Sequence, residues 1–169
     1  MASDNLGEAD RVIACRLIES ALLNVPRAFE EAVPGLIEIS MPLILGEAKT
    51  KALKLHTLET VINCVLYNPV LAISFLDSRS WTMPFFQAWF KNVDAFNRVH
   101  DKRLSIFALC ALLEVPSASL PKSLEGGWSF VMSALMKMFQ TLPKAEESES
   151  CRIYRFPTTS LTKFTSLRP

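Results

Sequence analysis

From Leu104 to Leu113 the chain is almost unbroken apolar sequence, opened by His100-Asp101-Lys102-Arg103 and closed by Glu114. A helix apolar on every side cannot stand in water and needs neighbours on more than one face. Upstream, Tyr67-Asn68-Pro69 stops one helix, and Phe85, Phe86, Trp89, Phe90, Val93 and Phe96 recur at helical spacing in the next. Stacked helical hairpins meet that need. The pattern predicts an all-α scaffold that presents a surface, with no catalytic residue set.

Two explanations compete for such apolar sequence. Half of the residues (50%) are hydrophobic, 21% are charged and the mean hydropathy is +0.23. A membrane-spanning helix needs about 20 consecutive apolar residues. Ile106 to Leu113 is far shorter, and Lys102, Arg103 and Glu114 flank it. The expectation is therefore no membrane insertion, with apolar ends that meet neighbouring elements. Asp4, Glu8 and Asp10 precede any apolar run, so no secretory leader is expected either.

A net charge of +1 gives no global reason for nucleic-acid binding, although the charges are uneven. Residues 1–45 hold seven acids against three bases, whereas Arg152, Arg155, Lys163 and Arg168 lie in an acid-free stretch from Cys151 onward. Cys15, Cys64, Cys110 and Cys151 stand singly and far apart. Neither a metal spacing nor a disulfide framework is present, which predicts a reducing compartment.

Strict two-residue alternation is absent, and helical spacing is common. Val12, Ile13, Leu17, Ala21 and Leu22 form one stripe between Glu8 and Leu23. A second helix is expected from Arg27 to Leu45, bent near Pro34 or Pro42, with Gly46 as its stop. Thr50 caps a third, whose apolar face runs through Leu55, Leu58, Val61, Ile62, Val65 and Leu66 and whose opposite side carries Lys51, Lys54, Glu59 and Asn63. Pro69 to Leu76 is a short helix or turn. The aromatic helix spans Met83 to Phe96, the next runs from His100 to Glu114, and a loop covers Pro116 to Gly127. Trp128, Val131, Leu135, Met138 and Leu142 trace the last helix. First helices of successive pairs begin near residues 9, 49 and 100, a step that suits the HEAT or armadillo range of about 40–47 residues. The expected organisation is a flexible N-terminus (1–7), HEAT-like helical repeats of about three hairpins (8–143), and a disordered, low-order C-terminal tail (144–169) in which Glu146, Glu147 and Glu149 should not pack.

No constellation carries chemistry. His56 and His100 read as surface or helix-start histidines, because no spacing supplies a second ligand or a nucleophile. Asp101 reads as a helix-start residue facing free amides. The aromatic helix holds Lys91 as its only base, so its rings are core rather than a base-stacking platform. Glu30, Glu31 and Glu38 read as a solvated face, the acidic surface for a basic partner being the sharper alternative. No catalytic, cofactor-binding or metal residues are expected, and the cargo-binding residues are unknown.

Three blocks, Leu66-Tyr67-Asn68-Pro69, Phe86-Gln87-Ala88-Trp89-Phe90-Lys91-Asn92-Val93-Asp94-Ala95-Phe96 and His100-Asp101-Lys102-Arg103-Leu104-Ser105-Ile106-Phe107-Ala108-Leu109-Cys110-Ala111-Leu112-Leu113, resemble importin-β-type karyopherins, specifically importin seven and eight and the related fungal import receptors. The likeness runs from about Arg11 to Leu142 and corresponds to HEAT repeats of the receptor's carboxyl-terminal half. It implies an α-solenoid segment of a soluble, non-enzymatic receptor that carries proteins through nuclear pores between cytoplasm and nucleus. Implied partners are basic cargo such as ribosomal proteins or histones, the GTPase Ran (whose main surface lies in amino-terminal repeats) and nucleoporins. Neither nucleic acid nor a cofactor is implied. The alternatives are a structural HEAT scaffold of a trafficking or assembly complex and a truncated receptor piece without activity.

Overall fold

The computed structural model describes residues 7–25, 27–124 and 126–153. Helix α1, Glu8–Asn24, opens where Asp10 Oδ2 accepts a hydrogen bond from the Gly7 amide at 3.2 Å. It buries Cys15, Glu19 and Leu22, whereas Ile13 and Leu17, expected in the core, are 56% and 67% exposed. Those two residues form a separate i, i+4 stripe. The face that α1 turns inward is the one that meets polar partners at Glu19, described below.

The helix expected from residue 27 to 45 is divided. A 3-10 turn over Glu30–Ala32 precedes α2, Val33–Pro42, with Pro34 in its first turn, where a missing amide donor costs nothing. After Pro42 the chain widens into a π-helical turn, Leu43–Glu47, which is the expected bend. Gly46 then leaves helical conformation at φ 158°.

Thr50 caps α3, Lys51–Tyr67, its hydroxyl accepting from the Leu53 amide at 3.3 Å. Every residue from Thr57 to Val65 is buried, so α3 has no solvent side along this stretch. Glu59 and Asn63, assigned from sequence to a polar outer face, are each 1% exposed. Pairwise periodicity misses this, because a helix packed on several sides needs partners rather than an apolar stripe. Asn68 Oδ1 accepts from the Leu71 amide at 3.0 Å and starts α4, Pro69–Ser78. Helix α5, Thr82–Lys91, ends earlier than its aromatic spacing suggests; a 3-10 turn at Val93–Ala95 returns Phe96 to the core. Helix α6, Val99–Leu113, follows. Two 3-10 turns, Ser117–Ser119 and Lys122–Leu124, occupy the long connection to α7, Trp128–Ile153.

Among the described residues, α4 packs on α3 and α7 packs on α6, whereas α1 and α2 both pack mainly on α3. Helices α1, α3 and α6 pack side by side in one row, and α2 packs on both α3 and α4 in the other. The repeat is visible in the bonding between α1 and α3, neighbours within one row. Glu8 accepts from Lys49 and Thr50, 41 and 42 residues on, and Asn63 Nδ2 donates to the Glu19 carbonyl across 44. Tyr67 donates to the Val25 carbonyl across 42 residues. A near-constant offset means that α1 and α3 run parallel, as successive first helices of HEAT-type repeats do.

The core is continuous through the helices. Phe85, Trp89 and Phe96 are fully buried, and Trp89 stacks near-parallel on Phe86 at 5.8 Å between ring centroids. The indole donates to Ser105 Oγ at 3.1 Å, linking α5 to α6. The aromatic helix is thus core, as expected.

Helix α7 continues ten residues past the expected boundary at Lys144. Pro143 lies inside it, and a proline donates no amide to the preceding turn. Tertiary contacts carry the helix onward. Ala145 is buried, Arg103 pairs with Glu146 at 2.8 Å, and Glu149 accepts from the Val99 amide at 3.3 Å. Of the acids expected to stay unpacked, Glu149 meets the first turn of α6, where free amides favour negative charge, Glu146 pairs with Arg103, and Glu147 stays exposed. The expected tail beyond Ile153 and the first six residues lie outside the described residues.

Candidate docking surface

Three surface features can engage other molecules. The largest is a groove of about 710 Å³ between α3, α5 and the π turn after α2. Its wall is apolar at Leu45, Leu55 and Ala88, while Lys51, Lys54 and Lys91 supply positive charge and no acid lines it. Lys91, read from sequence as incidental to the aromatic core, belongs to this rim. A second pocket of about 440 Å³ lies between α5 and α7, walled by Met83, Phe86, Phe90, Leu124, Phe130 and Val131. Phe130 is 66% exposed. Apolar depressions with large exposed side chains are typical places for a partner's apolar group.

The third feature is polar and joins the row α1, α3, α6. Glu19 comes from α1, His56 and Glu59 from α3, and Arg98, His100 and Asp101 from the start of α6. Arg98 reaches Glu59 at 3.1 Å and Asp101 at 2.7 Å. His56 Nδ1 approaches Glu59 Oε2 at 2.8 Å, and His100 Nε2 approaches Glu19 Oε1 at 2.5 Å. Asp101 Oδ2 also accepts from the Arg98 amide at 3.3 Å, which is the helix-start role expected of it. Burial pushes the Glu59 carboxyl above its ordinary range, although His56 and Arg98 oppose that shift. The hydrogen bond to Glu19 raises the His100 imidazole above its usual value, against a smaller effect of burial.

Of the residues weighed from sequence, His100 lies exposed in the first turn of α6, as read, whereas His56 is largely covered, and the fold brings both into one polar cluster. The signal for half of it was present: His56 and Glu59 are i, i+3 neighbours on one helix face. Glu19 carries no such signal, because its partners lie 37 or more residues away in sequence. Glu30, Glu31 and Glu38 are exposed at the α2 side, where Glu38 pairs with Arg79 at 2.8 Å. The thiols suit packing: burial pushes Cys64 up to about 12 and raises Cys15, so both stay protonated near neutrality. No helix among the described residues is long and apolar enough to cross a membrane.

Sequence comparison adds a family context to this geometry. The chain is 23% identical over 137 residues to a probable importin-7 homolog of Dictyostelium discoideum, a match covering 79% of this chain and 13% of that protein. It is 25% identical over 123 residues to importin-8 of Danio rerio (68% and 12%), and 26% identical over 130 residues to an importin beta-like SAD2 homolog of Arabidopsis thaliana (72% and 12%). The chain therefore spans about 13% of the length of the curated relatives it matches. No family profile and no solved structure matches it.

Proposed function

Since the chain belongs to the importin-β-type karyopherins, by its likeness to importin-7 and importin-8 proteins, we propose that it forms part of a nuclear import receptor and binds protein partners on its helical surface. The observation that carries this reading is the joint one of likeness and architecture. Several importins match across 64–79% of the chain, and the described residues fold as packed helices with grooves between them. Such a surface works by reversible docking: helices stay fixed while side chains in the grooves select the partner.

Charge guides which partner meets which face. The exposed Glu30, Glu31 and Glu38 suit basic cargo such as histones or ribosomal proteins, and the Glu38–Arg79 pair costs little to open because both groups are about half exposed. The lysine-rimmed groove suits an acidic segment. Regulation by Ran, contact with nucleoporins and residence in cytoplasm, nucleus and pore belong to the whole receptor and enter this proposal on that footing. The test is a pull-down of a core histone and a basic ribosomal protein on the immobilised chain, with and without GTP-loaded Ran. Salt-sensitive retention, weakened by Glu30→Lys/Glu31→Lys/Glu38→Lys, is the expected result. Absence of retention at low salt would refute it.

A further inference from the structure

The polar cluster between α1, α3 and α6 gathers three buried carboxyls, two imidazoles and one guanidinium. Glu19, Glu59 and Asp101 are 6%, 1% and 2% exposed, and among the described residues Arg98 is the one permanent cation paired with any of them. Two of the three carboxyls, Glu59 and Glu19, also meet the imidazoles of His56 and His100. Buried charge of this kind needs compensation.

We propose that Glu19, His56 and Glu59, with His100 as a fourth ligand, bind a divalent transition-metal cation of the zinc class. One ligand atom from each of the first three residues lies within 4.8 Å of the others. Tetrahedral zinc with bonds of about 2.1 Å requires separations near 3.4 Å, which small side-chain rotations supply. His100 already touches the Glu19 carboxylate, so a cation held by Glu19 is within its reach.

Two further observations point to a ligand. His56 Nδ1 is buried and makes no aligned hydrogen bond despite its 2.8 Å approach to Glu59. An imidazole nitrogen aimed at a carboxylate in this way is a ready metal donor. Outside the cluster, a cleft of about 350 Å³ bordered by Arg16, Ser20, Asn24, Arg98 and His100 gives a route from solvent to Glu19. Two carboxylate oxygens with two imidazole nitrogens select zinc over magnesium or calcium, which prefer all-oxygen sites. Arg98 donates to both oxygens of Glu59, at 3.3 and 3.1 Å, and so fixes the orientation of that carboxyl. The bound cation takes over compensation of the buried carboxyls and ties α1 and α3 to α6.

Equilibrium dialysis of the whole chain against zinc chloride at pH 7.5, with millimolar magnesium present, tests the site. One zinc per chain is expected, with an X-ray absorption spectrum showing only nitrogen and oxygen neighbours. His100→Gln, at a half-exposed position, and His56→Gln should each weaken binding at least about tenfold. If His56→Gln fails to fold by circular dichroism, His100→Gln and the absorption spectrum decide. Substoichiometric zinc, sulfur neighbours (which would assign the metal to cysteines) or wild-type affinity in His100→Gln would overturn the proposal.

Discussion

Replacing Ser105 by alanine isolates one bond between the successive helices α5 and α6. Trp89 is fully buried among Phe85, Phe86 and Phe90, and its indole N–H donates to Ser105 Oγ at 3.1 Å. Alanine keeps the shape of α6 but leaves a buried donor without a partner, which costs about 1–3 kcal/mol. Trp89→Phe removes the donor together with ring volume, so it costs more through the cavity it opens. In the Trp89→Phe background, Ser105→Ala strands no indole and should be nearly neutral. The double-mutant cycle is therefore expected to show a coupling of about 1–2 kcal/mol, read from urea unfolding by circular dichroism. For a chain of this size, Ser105→Ala should lower Tm by roughly 2–4 °C per kcal/mol. Equal costs of Ser105→Ala in both backgrounds would refute the link between α5 and α6.

Tyr67 accepts from the Phe29 amide at 2.9 Å and donates to the Val25 carbonyl at 3.2 Å. Tyr67→Phe should cost about 1–2 kcal/mol and speed amide exchange at Phe29, whereas unchanged exchange would contradict that role. Bonds to Thr50 and Lys49 hold the Glu8 carboxyl below its ordinary range, so its contribution is present above the unfolded value near 4.5. That contribution is lost as pH falls through the lower folded value, and Glu8→Gln should flatten the acid limb of stability against pH; an identical limb would reject this. Glu149→Ala removes the acceptor facing the Val99 amide, and should increase exchange in the first turn of α6 without altering α3.

The helices were legible because capping and breaking residues are local. Thr50, Asn68 and Pro69 act within a few residues of themselves, and the structure places their helix ends where the sequence does. Burial was less legible. Ile13 and Leu17 look like core yet face outward, whereas Glu59 and Asn63 look like surface yet sit in the middle of α3. Their surroundings are set by residues 37 to 44 positions away, which no helical wheel displays. The end of α7 was misread for the same reason: Pro143 and the following glutamates signal a stop locally, and Arg103 and Val99 overrule it from another helix. The polar cluster was hidden likewise, since only the fold brings Glu19 to His56 and Glu59.

Native-state hydrogen exchange along α3 puts the architecture to its most direct trial. Packed against α1, α2, α4 and α6, residues Thr57 to Val65 should exchange only through global unfolding and be the slowest amides of the chain. Amides of α3 that exchange as fast as those at the start of α1 would contradict a stack organised around this helix.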